Sequence, residues 1–354
     1  MIETCFINIA KTPQSRISEL DYNNIEFGKI FADHMFMVDY ENGAWQTPQI
    51  LPYGDLSLSP ATSAIHYGQS VFEGMKAYKN SAGEVSLFRP LDNARRLNIS
   101  AERMCMPTLP EETFMQGLTE LLKLDKDWVP PTEGCALYIR PFMFATDDFI
   151  GVRPSAKYKF MIFCCPVGAY YANPLRVKIE TEFARSVEGG AGFAKAAGNY
   201  GAALYPAKLG QDKGYQQLIW TDAKEHKYIE ESGTMNIMFV IDGKIITPAI
   251  STSILNGITR DSVLQLARDF GIPVEERKVS VAEVMEAHAN GTLQDAFGCG
   301  TAATLAPIIT IGFEGKDYDL PAMETRTLSK RIATELDNIK TGAAADPHNW
   351  MVKI

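Results

Sequence analysis

Short apolar runs of strand length alternate with amphipathic, helix-length stretches along the whole chain, and this alternation most constrains the fold. It predicts an α/β or α+β architecture and excludes a helical bundle or a β-sandwich. Tyr158-Lys-Phe-Met-Ile-Phe-Cys-Cys165 is apolar enough for a strand buried on both faces, and Cys135 to Pro141 reads as another. Asp242-Gly243 between Asn236–Ile241 and Lys244–Thr247 predicts a tight hairpin. Glu84 to Phe88 reads as a strand, followed by a helix from Asp92, as N-cap, to Met104. Further helices are predicted over Glu111–Leu124, from Thr259 to a glycine cap at Gly271, from the Ser280-Val-Ala-Glu283 capping box to Gly291, and over Glu324–Ile339. The Gly- and Pro-containing stretch Pro166 to Pro174 interrupts the pattern and marks a domain boundary. The expected division is an N-terminal domain over 1–171, a linker over 172–178 and a C-terminal domain over 179–354.

The 354 residues suffice for two domains with substantial cores. A net charge of -9 disfavours nucleic acid as a partner, because no overall field draws a polyanion to the surface. The longest apolar run, Phe160 to Ala169, is about half the roughly 20 residues of a membrane-spanning helix, so no membrane association is expected. The first twenty residues contain no apolar signal core, and six scattered cysteines without C-x-x-C spacing read as free thiols of a reducing cytoplasm. The five histidines are far apart in sequence, and no metal site is expected.

Lys195 is the only formally charged residue between Gly189 and Ala207, a stretch dominated by glycine and alanine. If that segment packs inside the protein, desolvation favours the neutral, nucleophilic amine that Schiff-base chemistry uses. A solvated lysine on a surface loop has the same composition, and a P-loop is excluded because alanines flank the lysine. Gly298-Cys-Gly-Thr-Ala-Ala303 formally fits a dinucleotide-binding turn, but Pro307 would obstruct the helix that such a turn must open. A loop binding a single phosphate through backbone N–H groups and the Thr301 hydroxyl fits better. Asn256-Gly-Ile-Thr-Arg-Asp261 places Ile258 and Thr259 at a helix N-terminus, which also suits an anion, although an ordinary helix start reads the same way. Glu230-Glu231-Ser-Gly precedes the hairpin and reads either as a solvated turn or as a carboxylate that keeps a heteroaromatic nitrogen protonated. Phosphate loops, an isolated lysine and such a carboxylate are together the parts needed to use pyridoxal 5′-phosphate (PLP).

Several ordered motifs then carry a family resemblance. They include His66-Tyr-Gly-Gln-Ser-Val-Phe-Glu-Gly-Met-Lys76, Leu87-Phe-Arg-Pro90, Leu137-Tyr-Ile-Arg-Pro141, Cys165-Pro-Val-Gly-Ala-Tyr170, Lys195-Ala-Ala-Gly-Asn-Tyr200, Glu231-Ser-Gly-Thr-Met-Asn236 and Gly300-Thr-Ala302. Over nearly its whole length the chain resembles the branched-chain amino acid aminotransferases of PLP fold type IV. The resemblance implies a two-domain α/β fold, D-amino acid aminotransferase-like, with a smaller N-terminal and a larger C-terminal domain. It implies amino transfer between leucine, isoleucine or valine and 2-oxoglutarate by a ping-pong mechanism in a cytoplasmic homodimer.

By position, the resemblance makes Lys195 the catalytic Schiff-base lysine, puts Tyr200 on the cofactor phenolate and pairs Glu231 with the pyridine nitrogen. It assigns Arg96, Ile258, Thr259 and Thr301 to the phosphate and places Arg185 in the cofactor site. Substrate walls fall to Phe27, Tyr67, Phe72, Tyr138, Tyr170 and Thr234, with Arg140 for the glutamate γ-carboxylate and Thr301-Ala302 for the α-carboxylate. Some animal relatives carry a C-x-x-C pair after Gly-Thr-Ala; here the segment is Ala302-Ala-Thr-Leu-Ala-Pro, so no thiol switch is expected there. Competing readings are another fold-type-IV activity with a different pocket, a nicotinamide-dependent oxidoreductase using residues 298–303, and a non-catalytic PLP-binding protein.

Overall fold

A computed structural model describes residues 6–22, 24–168 and 174–354. The chain divides into two compact units, one comprising 1–170, 194–198 and 338–354 and the other 171–193 and 199–337. The helices are α1 (Ser63–Tyr67), α2 (Pro90–Arg103), α3 (Glu111–Leu124), α4 (Ala197–Asp212), α5 (Ile258–Asp269), α6 (Val281–Ala289) and α7 (Thr327–Thr341).

The first unit is built on a sheet that has ten strands among the described residues. At its centre the Tyr158–Val167 strand runs antiparallel to both His34–Glu41 and Ala136–Ala145. Both faces of its apolar run are covered as predicted: α2 and α3 contribute Leu97, Phe114, Leu118, Leu121 and Leu122 to the core that also holds Phe160 and Ile162, while on the other face Met161 packs with Met35, Met37 and Phe144. Gly117 lets α3 lie close to this sheet, since a Cβ there would come within 2.5 Å of the Phe36 ring. α2 starts two residues before the predicted cap. Pro90 occupies its first turn, where a missing N–H costs no helical hydrogen bond, and Asp92 instead pairs with Arg89 at 2.7 Å.

The second unit has a sheet that is also ten-stranded among the described residues. It is mixed: Leu175–Ile179 runs parallel to both Gln217–Thr221 and Thr304–Phe313, whereas Asn236–Ile241 is antiparallel to its neighbours on both sides. The Asp242-Gly243 hairpin forms, with φ of 49° and 73° at its two turn residues. Ser280 caps α6 by accepting the Glu283 N–H at 3.0 Å, and Gly271 and Gly291 follow α5 and α6 with positive φ.

Two boundaries differ from expectation. Of the predicted linker 172–178, residues 172 and 173 lie outside the described residues, and the strand Leu175–Ile179 already takes up 175–178 because its alternating Leu175, Val177 and Ile179 are buried. The C-terminus returns to the first unit, where Met351–Lys353 pairs with Val85–Phe88 and Trp350 packs edge-on against Phe88. That unit therefore takes more of the chain than the predicted smaller N-terminal domain.

Candidate active site

The first unit fixes the main chain around Lys195 on both sides. The Lys195 N–H donates to the Ser100 hydroxyl at 2.9 Å, and its carbonyl accepts the Phe72 N–H at 3.0 Å. Ala196 forms a bridge to Val71, and Ala194 and Ala196 are each only 2% exposed. Small flanking side chains allow this close packing, so the main chain at 194–196 is not a loose surface loop. The Lys195 side chain is half-buried, its ammonium 5.0 Å from the centre of the Phe72 ring. The loop expected over 189–203 ends early, because α4 begins at Ala197 and carries Tyr200 on its first turn.

Arg96 projects from α2 into a bidentate pair with Glu73. Arg96 Nε donates to Glu73 Oε1 at 2.7 Å and Nη2 to Oε2 at 2.8 Å, and the Glu73 side chain is fully buried. Sequence reasoning passed over Glu73 and Ser100. A carboxylate inside the apolar run Val71-Phe-Glu-Gly-Met75 was the available signal, since a buried charge needs a partner.

Three predicted substrate-wall residues, Phe27, Phe72 and Tyr138, come together with Arg140 in the same unit. The Phe27 ring stands edge-on to Tyr138 with centroids 5.1 Å apart, and the Arg140 guanidinium lies 4.7 Å from the Phe72 centroid and 5.4 Å from that of Tyr138. Arg140 Nη2 donates to the Tyr138 hydroxyl at 3.0 Å, and its buried Nε has no hydrogen-bond partner among the described residues. Gly74 makes room for that phenol, as a Cβ would stand 2.3 Å from its oxygen. Cys165, opposite Tyr138 in the sheet, has its thiol pushed up to about 11 by burial. Tyr67 is 40% exposed at the end of α1, beside His66. Tyr170 lies outside the described residues.

In the second unit Glu231 sits on the strand Tyr228–Ser232 and is 4% exposed. Its Oε1 accepts the Leu255 N–H at 2.7 Å, and its Oε2 is 3.3 Å from Arg185 Nε. Arg185 Nη2 in turn donates to the Ser253 carbonyl. Glu230 is buried too, not part of a solvated turn. Burial raises its carboxyl above the usual range even though the Ser253 hydroxyl donates to it at 2.5 Å. The loop before α5 is held from both sides, for Asn236 Nδ2 donates to the Leu255 carbonyl at 2.9 Å while Leu255 N–H bonds Glu231. Gly257 follows, where a Cβ would fall 1.9 Å from Asn236 Oδ1, and the chain enters α5 with no side-chain cap. Ile258 and Thr259 thus form the first turn of a twelve-residue helix, the end at which backbone N–H groups and the dipole favour an anion.

Thr301 and Ala302 lie in the turn between the antiparallel strands Leu293–Gly300 and Thr304–Phe313. The glycine pattern 298–303 therefore closes a hairpin instead of opening a helix, and it lacks the element on which a dinucleotide pyrophosphate would sit. Thr234 is exposed in the turn after Glu231. Among the described residues no group of three or more His, Cys, Asp or Glu side chains could hold a metal ion. No described helix is long and apolar enough to cross a membrane.

Residues 70–311 match the family model for amino-transferase class IV. The chain is 47% identical to branched-chain-amino-acid transaminase 1 of Bacillus subtilis over 339 residues, covering 94% of this chain and 95% of that one. It is 40% identical to the branched-chain-amino-acid aminotransferase of Mycolicibacterium smegmatis, covering 94% and 92% of the two chains. Among solved structures it is similar to the branched-chain aminotransferase of Thermoproteus uzoniensis crystallised with norvaline. That likeness has a TM-score of 0.75 at 25% identity and covers 90% of this chain and 99% of the other.

Proposed function

The chain belongs to the branched-chain amino acid aminotransferases of class IV, and from that premise we propose that it exchanges the amino group of leucine, isoleucine or valine with 2-oxoglutarate, using PLP. The observation that carries the catalytic assignment is Lys195 itself, a lysine among alanines whose main chain is hydrogen-bonded at both N–H and carbonyl. A base that must serve two half-reactions gains from such fixed placement.

The residues present suit PLP chemically. Its phosphate calls for cations and N–H donors, which Arg96, the first turn of α5 at Ile258 and Thr259, and the Thr301 hydroxyl supply. Its pyridine nitrogen calls for a buried carboxylate, which Glu231 supplies while Leu255 N–H and Arg185 hold it in place. Tyr200 would donate to the phenolate oxygen. When bound, PLP supplies the electron sink that lets an amino acid lose its α-proton. With the cofactor bound, Lys195 Nζ would accept the proton leaving the α-carbon and hold it for return, and Glu231 would keep the ring nitrogen protonated.

Two side-chain chemistries must share one pocket, an aliphatic chain in one half-reaction and a γ-carboxylate in the other. Arg140 between the Phe72 and Tyr138 rings suits both, because ring faces meet the aliphatic chain and the guanidinium meets the carboxylate. The family resemblance assigns the remaining wall positions to Phe27, Tyr67, Tyr170 and Thr234, and the α-carboxylate to the Thr301-Ala302 backbone. The enzyme acts as a cytoplasmic homodimer, a reading supported by free cysteines throughout the described chain and by exposed Phe149, Ile150 and Val152 on one loop.

An absorbance spectrum of the PLP-loaded protein tests the proposal. A visible band that bleaches with leucine and returns with 2-oxoglutarate is expected, with no nicotinamide requirement. A band unmoved by leucine but bleached by another amine would mean a different class IV activity, and no band in folded protein would remove the cofactor assignment.

A further inference from the structure

We propose that Glu73 is a positioning residue for the cofactor phosphate, acting through Arg96. The inference rests on the proposed assignment of Arg96 to that phosphate. Arg96 is 8% exposed and Glu73 is 0% exposed, so neither charge is hydrated by bulk water and each depends on the other. Their contact is a fork, with Nε on Oε1 at 2.7 Å and Nη2 on Oε2 at 2.8 Å, which fixes the guanidinium plane as well as its position.

Glu73 is itself anchored. Its N–H donates to the Pro141 carbonyl at 2.7 Å, and its Oε2 accepts the Gly74 N–H at 3.3 Å. The Glu73 main chain is thereby tied to the strand Ala136–Ala145 that carries Tyr138 and Arg140, while Arg96 belongs to α2. One helical turn past Arg96, Ser100 donates its hydroxyl to the Arg96 carbonyl at 3.0 Å and receives the Lys195 N–H at 2.9 Å. α2 thus holds the phosphate arginine and the catalytic lysine from one buried face, and Glu73 sets the orientation of the arginine on it. A phosphate would be met by a guanidinium whose plane is already set, instead of a flexible side chain that must be ordered on binding.

The experiment titrates full-length apoprotein with PLP and with pyridoxal, which lacks the phosphate, for wild type, Arg96→Ala, Glu73→Ala, Glu73→Gln and Arg96→Ala/Glu73→Ala. Loss of a buried charged hydrogen-bond pair predicts that Glu73→Ala weakens PLP by about tenfold or more while pyridoxal affinity changes little. Glu73→Gln keeps one acceptor oxygen on the fork and shows a smaller loss in the same direction, a readout that survives if the alanine variant fails to fold. The double variant binds PLP no more weakly than Arg96→Ala alone. Equal losses for PLP and pyridoxal would mean that the Glu73–Arg96 pair only supports the fold, and unchanged PLP affinity in both Glu73 variants would also overturn the inference. If Arg96→Ala itself fails to separate PLP from pyridoxal, the assignment of Arg96 to the phosphate is wrong and the inference falls with it.

Discussion

The two units hold their functional groups by different means. In the first, side chains hold side chains or the main chain: Glu73 grips Arg96 and Ser100 receives the Lys195 N–H across long sequence separations, and Tyr138 accepts from its near neighbour Arg140. In the second, much of the work falls to the backbone: Leu255 N–H holds Glu231, the first turn of α5 presents its amides, and Thr301 lies in a hairpin turn. The difference teaches where substitution is tolerated. Truncating Arg96 or Arg140 removes the proposed anion contact itself, whereas the amides at the start of α5 survive any side-chain truncation that leaves the backbone path undisturbed.

The largest expected effect is that of Lys195→Ala, which lowers turnover by about a thousandfold or more, since it removes the group proposed to move the α-proton. Circular dichroism should show a folded protein, and substantial turnover by that variant would refute the assignment. Next, Arg140→Ala slows the glutamate half-reaction by about tenfold to a hundredfold, while the leucine half-reaction loses far less. Single-turnover kinetics with each donor separates the two, and equal losses would remove Arg140 from the carboxylate-binding role.

Gly257→Ala probes the second unit. Its Cβ would collide with Asn236 Oδ1, displacing the side chain that holds the Leu255 carbonyl, so stability falls by about 1–3 kcal/mol and PLP binds more weakly. Ile258→Ala, which leaves every backbone N–H in place, keeps most PLP affinity. If these two variants behave alike in PLP titration, the contrast between backbone and side-chain holding fails.

The smallest effect concerns pH. Burial alone would raise the Glu180 carboxyl, but the Lys178 ammonium at 2.7 Å and the N–H groups of Glu182 and Phe183 outweigh it and hold it below its ordinary value. Glu180 therefore stabilises the fold above the unfolded-state pKa of about 4.3, and that contribution is lost as pH falls through the folded value. Glu180→Gln should flatten the acid limb of urea midpoint against pH, and an unchanged acid limb would count against this role.

Locally encoded features were legible in the sequence. The Asp242-Gly243 hairpin, the Ser280 capping box and the amphipathic face of α3 depend on neighbours within a few residues, so pattern alone predicted them. The start of α2 was missed because Pro90 and Arg89 compete with Asp92 for the same turn, and the packing of Trp350 beside Arg89 bears on that choice. The linker was placed too far along the chain because a strand edge buried by its partners carries no local stop signal.

The sequence by itself determined the kinds of chemical group: one lysine among small residues, a carboxylate before a glycine turn, arginines within strand and helix patterns, and motifs ordered as in a known family. Tertiary structure alone decided how those groups are held. Glu73, Ser100 and Leu255 act on residues 23, 95 and 24 positions away, and Glu230 is a buried carboxyl beside the one that matters. Sequence periodicity reports which face of an element is apolar. It does not report which distant side chain or amide meets a buried charge, because that choice is made by the pairing of strands and the packing of α2 and α5 across the fold.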